Sequence, residues 1–204
     1  SNKYYEAREV YRVYIEGKSI GLINSKENLE KLIDNEQEKI KSEYNVNKVY
    51  IPNGIEIQKE TTYSNNIKTE KEIYEEIKDR ETFTIEGYKI TIVTKKTILD
   101  EATDSKTEKE ETNYVYVLDK DIMNDAIDQT VKAFIDEEEY ENYQLKKQKD
   151  IEEGKEGKII SSIYLKDKIT IKKDYISVNE NIFTNSKELA NYLLFGTTSN
   201  LKKY

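Results

Sequence analysis

The sequence predicts an α+β fold of two tandem related units, each a small antiparallel sheet of hairpins packed with two helices. Three observations carry this expectation. Apolar residues alternate over short runs such as Tyr11 to Glu16, the period of a half-buried strand. Elsewhere they recur at Leu29, Leu32, Ile33 and Ile40, the spacing of one helix face. The pattern also occurs twice. Tyr50 to Lys59 matches Tyr164 to Lys173, with a Tyr, an aliphatic residue, two alternating Ile and a Lys in register. Asn66-Ile67 then matches Asn181-Ile182, and Thr69 with Lys71-Glu72-Ile73 matches Thr184 with Lys187-Glu188-Leu189 after one extra residue. Such self-similarity reads as a repeated supersecondary unit.

The first unit is expected over residues 1–100. Tyr11 to Glu16 is a strand, Gly17-Lys18 a turn, and Ile20 to Ile23 the strand that pairs back. Ser25 has the short hydroxyl side chain of a helix N-cap. Val49 to Ile51 and Ile55 to Ile57 flank Pro52-Asn53-Gly54, which reads as a hairpin turn. Thr69 with Glu72 is a capping box for a short helix buried through Ile73 and Ile77. An extra hairpin is expected at 82–94, turning at Gly87.

Residues 100–112 are polar apart from Ala102 and read as a linker. The second unit follows over 113–204. Val115 to Val117 leads to a helix capped by Asp119 or Asp121, with a stripe of Met123, Ile127, Val131 and Phe134 that Glu139 to Leu145 extends. Lys149 to Lys158 reads as an insertion. Ile159 to Leu165 and Ile169 to Ile176 read as a hairpin, and Thr184 or Ser186 starts a last helix through Leu189 and Leu193.

Composition narrows the chemistry. The 204 residues contain no His and no Cys. Thiolate or imidazole metal sites, Ser-His-Asp triads and Cys-His pairs therefore have no ligands or bases to build from. The seven Gly are scattered and form no phosphate-binding loop. No cofactor and no metal is expected. Net charge is -8, which opposes nucleic-acid binding and also an anionic membrane or teichoic-acid surface, although the local basic stretch Lys146, Lys147 and Lys149 exists. No run of about 18 apolar residues is present, so no membrane span is expected. Ser1-Asn2 resembles the remnant of a removed tag, and a natural leader or anchor is expected upstream.

Two residue classes remain as candidates. Paired carboxylates hydrolyse glycosides without histidine, and Asp119, Asp121 and Asp125, or Glu137, Glu138 and Glu139, supply acids for such a pair or for calcium. Acids at a helix start also serve simply as caps and dipole partners. Exposed rings bind sugar faces, and Tyr4, Tyr5, Tyr11, Tyr14 and Tyr50, with Tyr140 and Tyr143, are candidates. Tyr at strand positions otherwise packs across strands.

A resemblance adds context. Val13 to Gly21 resembles the "VYVDGKEIG" opening of repeats in exported Firmicute cell-wall proteins. Val117 to Ile122, with Ala133-Phe134-Ile135, is similar to the next segment of those proteins. Leu194 to Thr198 resembles the residues that precede a LysM peptidoglycan-binding module. The resemblance implies a non-catalytic N-terminal region of a LysM-containing, lysostaphin-like zinc murein endopeptidase, with the catalytic domain beyond residue 204. It implies an extracellular or cell-surface location and a role as spacer, docking or regulatory module. The implied partners are peptidoglycan or a cell-surface protein. A stand-alone glycan- or peptide-binding module and a carboxylate-dependent glycosidase remain the alternatives.

Overall fold

The computed structural model describes residues 6–134, 136–146, 156–158 and 168–195. It is mixed α+β, with five helices among those residues. The chain divides into two compact units, Ser1–Ile85 with Ser177–Asn179, and Glu86–Ile176 with Glu180–Tyr204.

The first unit opens with β1 (Arg8–Ile15) and β2 (Lys18–Ile23). They form the expected antiparallel hairpin, with Ile15 opposite Lys18. The turn is Glu16-Gly17, one residue earlier than expected, and both residues have positive φ, 50° and 77°. Two left-handed central residues match the twist of the flanking strands. Helix α1 (Lys26–Tyr44) follows, capped by Ser25, whose hydroxyl accepts from the Asn28 amide at 3.1 Å. It ends at Asn45, which adopts the left-handed conformation that Asn tolerates. Leu29, Ile33 and Ile40 are buried, and Leu32 is half-buried, so the expected face is the core face.

Strand β3 (Ile55–Thr62) corrects the sequence reading. It pairs antiparallel with β1 along its whole length, Arg8 to Thr62 through Ile15 to Ile55. Val49 to Ile51 does not pair with it; Tyr50 bridges Thr84 instead, with backbone bonds of 2.8 and 3.0 Å. Gly54 does turn the chain, at φ 77°, but as the entry to β3. The sheet order is β2-β1-β3. Helix α2 (Glu70–Arg80) is capped by Thr69 as expected and packs on α1 and β2. Just ahead of it the Lys68 amide bonds the Leu22 carbonyl at 2.8 Å.

Tyr74 on α2 is buried and donates to Glu36 Oε2 at 3.0 Å, with Lys78 Nζ 4.5 Å from its ring centroid. Burial, and then the Glu36 carboxylate, raise the phenol above its ordinary range. The folded state therefore favours the neutral phenol. That stability is complete below the unfolded value of about 10 and is lost as pH rises through the folded one. Tyr74→Phe is expected to cost about 1 kcal/mol at neutral pH and to flatten the loss of stability above about pH 10. Urea titrations from pH 7 to 11 check both.

Strand β4 (Thr84–Asp100), which belongs to the second unit from Glu86 onward, runs unbroken through Gly87, where a turn was expected. The glycine answers a packing need. A Cβ there would lie 2.6 Å from Ile176 Cδ1 and 2.8 Å from the Val117 carbonyl oxygen. Strand β5 (Ser105–Val117) returns antiparallel from Asp100 opposite Ser105 to Tyr88 opposite Val117. The expected linker at 100–112 is thus the far end of this hairpin. Its sequence is polar because both faces lie in solvent: every described residue from Lys95 to Tyr114 is exposed. The ladder, together with cross-strand partners such as Lys95 and Glu110, holds it as strand.

Helix α3 (Lys120–Phe134) buries Met123, Ile127 and Val131 as expected. It stops before Asp136, whose side chain accepts from the Glu139 amide at 2.8 Å and starts a separate helix, α4 (Glu137–Lys146). Strand β6 (Glu156–Lys158), in the expected insertion, pairs antiparallel with β7 (Lys168–Ser177). The other arm of the expected second hairpin, 159–165, lies outside the described residues. Strand β8 (Ile182–Phe183) pairs parallel with β5. Helix α5 (Ser186–Phe195) is capped by Asn185, which accepts from the Lys187 and Glu188 amides at 2.8 and 3.3 Å. Ser186, one of the two expected starts, is the first residue of the helix. The sheet order is β6-β7-β4-β5-β8. Ile90, Ile92, Val115 and Val117 pack with Met123, Ile127, Ile169, Ile171 and Leu189 in one core.

Candidate functional site

The acidic candidates do helix work. Asp119 accepts from the Asp121 amide at 3.0 Å and so caps α3. Asp121 and Asp125 lie one turn apart on the exposed side of that helix. Glu137, Glu138 and Glu139 form the exposed first turn of α4, where carboxylates complement the helix dipole. None of these six lines either of the two grooves described below. Among the described residues no group of three or more acids converges as a metal site.

The tyrosines do not gather on one surface. Tyr11 and Tyr14 are half-buried on β1, and at three residues' separation they emerge on opposite faces of the sheet. Tyr50 is half-buried beside α1. Tyr4 and Tyr5 lie outside the described residues, and Tyr140 and Tyr143 take positions on α4. The well-exposed rings are others: Tyr63, Tyr114 and Tyr175, the second beneath Lys89 Nζ at 4.2 Å. Of the basic stretch, Lys146 ends α4, while Lys147 and Lys149 lie outside the described residues.

The feature that sequence reasoning missed is a groove of about 600 Å³ between α1 and β3. Its apolar lining is Ile33, Val49, Tyr50, Ile51, Ile55 and Ile57. Lys26, Glu30, Asp34 and Gln37 on α1 complete it. Each element supplies its part for a local reason. Ile55 and Ile57 sit opposite Ile15 and Val13 on β1, so they share the core-facing side of the sheet. Because β3 is the outer strand, these two side chains are only half covered. Gln37 anchors the loop behind the groove by donating to the Val49 carbonyl at 2.9 Å. Ile51 is left 44% exposed at the mouth, a cost that a core position would not carry.

The charges around the groove are partly committed. Lys26 pairs with Glu30 at 3.7 Å. On the opposite side of β3, Glu60 is held bidentate by Arg12 at 2.8 and 2.9 Å, which lowers the carboxyl below its ordinary range. Asp34 makes no ion pair among the described residues.

A second groove surrounds the start of α2, lined by Lys68, Thr69, Lys71, Glu72, Glu75 and Glu76. Its central cation is structural. Lys68 Nζ donates to the Ile20 carbonyl at 2.9 Å and to Glu76 at 3.1 and 3.2 Å.

No family model, no curated protein and no solved structure matches this chain. No helix among the described residues is long and apolar enough to cross a membrane.

Proposed function

We propose that the chain is a non-catalytic docking region of an exported cell-wall hydrolase, built from two copies of one ββαβα module. The observation that carries the reading is the parallel order of elements. In the first unit, strand, strand, helix, strand and helix follow in sequence, and the sheet runs β2-β1-β3. In the second, β4, β5, α3, β7 and α5 follow in that order with α4, β6 and β8 interposed, and the sheet contains β5-β4-β7. Lys68 bonds β2 just before α2, as β8 pairs with β5 just before α5. The sequence match of Ile55-Glu56-Ile57 to Ile169-Thr170-Ile171 falls on β3 and β7, the corresponding strands. The resemblance of Val13 to Gly21 and of Leu194 to Thr198 supplies the cell-wall context.

The reading is tested in the natural exported protein. Deleting this region is expected to reduce its retention on peptidoglycan and to change its hydrolysis of intact walls, while cleavage of a small soluble peptide substrate persists. Unchanged retention together with unchanged wall hydrolysis would sink the reading.

A further inference from the structure

We propose that the groove between α1 and β3 takes an extended segment of a separate protein, added as a fourth strand on β3. Apolar side chains at alternate positions would seat in the groove, with a basic side chain against Asp34. Two features meet there. The first is a sheet edge. β3 is the outer strand of the β2-β1-β3 sheet, and its eight residues span about 26 Å. Among the described residues, no backbone hydrogen bond reaches its outer side. Alternate residues of an edge strand present N–H and C=O outward, and only an extended backbone answers them in register.

The second feature is the apolar trough directly beside that edge, with Ile51, Ile55 and Ile57 on one wall and Ile33 on the other. Side chains on one face of an added strand recur about every 7 Å, so two or three fit along it. Edge and trough together specify the occupant more closely than either alone: the edge fixes the backbone, and the trough fixes the side chains on one face.

Charge selects further. Of the charged side chains that line the groove, Lys26 and Glu30 pair with each other, which leaves the Asp34 carboxylate. A Lys or Arg at the matching position complements it. A second copy of the chain meets like charges in the registers centred on positions 58, 59 and 60. Two-fold pairing of β3 with itself about position 58 sets Glu56 against Glu60, and about position 59 or 60 it sets Lys59 or Glu60 against its own copy. Like charges directly opposite each other destabilise a strand pair.

The test uses the whole 204-residue chain, labelled with ¹⁵N, and peptides selected on it from a randomised 12-residue phage-displayed library. The selected sequences should carry apolar residues at alternate positions and at least one Lys or Arg. They should bind one to one, shift the amides of Ile55 to Thr62 and of Ile33 to Gln37, and slow hydrogen exchange at alternate β3 amides. Asp34→Lys, at an exposed position, should keep the free spectrum and weaken binding about fivefold. Three results would each overturn the proposal: selected peptides that leave the β3 amides unmoved, β3 pairing with a second copy of the chain, or affinity indifferent to Asp34→Lys. Peptide binding and wall binding are separable outcomes, because a chain that ignores peptidoglycan can still hold these peptides, and the reverse.

Discussion

Leu29→Ala is expected to destabilise the chain by about 2–5 kcal/mol. Leu29 lies in the first turn of α1 and is fully buried. The substitution removes three carbons from a site that a helix, fixed at one end by Ser25 and at the other by Asn45, is poorly placed to collapse into. The loss is the transfer energy of the missing carbons plus the cavity left behind. Against a typical domain stability of about 5–15 kcal/mol, it is a large fraction. Chemical denaturation followed by far-UV circular dichroism measures it through the shift in midpoint. Leu145→Ala is the control. Leu145 is 84% exposed on α4, and its truncation should change stability by no more than about 0.5 kcal/mol. Equal effects at the two positions would contradict the packing described here.

Gly54→Ala carries the next largest effect, about 1–3 kcal/mol. Two costs combine at this position. The backbone has φ of 77°, where a Cβ is strained. That Cβ would also press against the Glu16 carboxylate and lie 3.0 Å from the Glu16 amide nitrogen. The same amide donates to the Gly54 carbonyl at 3.0 Å, so the backbone cannot retreat without breaking that bond. A double-mutant cycle separates the costs. Glu16→Ala removes the side-chain clash and leaves the backbone strain. The double variant should therefore be less destabilised than the sum of the single ones. Strict additivity would show that Glu16 moves aside freely.

What the sequence made legible was local. Ser25 and Thr69 cap their helices because capping is decided within three residues. The β1–β2 hairpin forms because its turn and its strands are contiguous. The face of Leu29, Ile33 and Ile40 follows from helix period alone. Two of the errors share a different cause: each needed a partner distant in the chain. Val49 to Ile51 and Ile55 to Ile57 have the form of a hairpin about Pro52-Asn53-Gly54, yet β3 is claimed by β1 and Tyr50 by Thr84. Gly87 looks like a turn residue, but it is glycine because Ile176 and Val117 crowd it. The stretch 100–112 is polar enough for a linker, and a hairpin with both faces in water has the same composition.

The candidate site was hidden for the same reason. Its apolar wall mixes Ile33 on α1 with Ile51, Ile55 and Ile57, and only the choice of β1 as the partner of β3 leaves those side chains at a sheet edge. The acidic clusters, in contrast, could be read either way from sequence. The cap geometry of Asp119 and Asp136 shows what the neighbouring acids accompany, which is a helix start.

In the proposed role the chain docks to the cell wall and cuts nothing itself. Co-sedimentation of the purified chain with purified peptidoglycan sacculi tests it most directly, with the supernatant assayed for released muropeptides. The account predicts that the chain pellets with the sacculi in a saturable way and that no soluble fragments appear. A chain that stays wholly in the supernatant, or sacculi that dissolve in its presence, would contradict it.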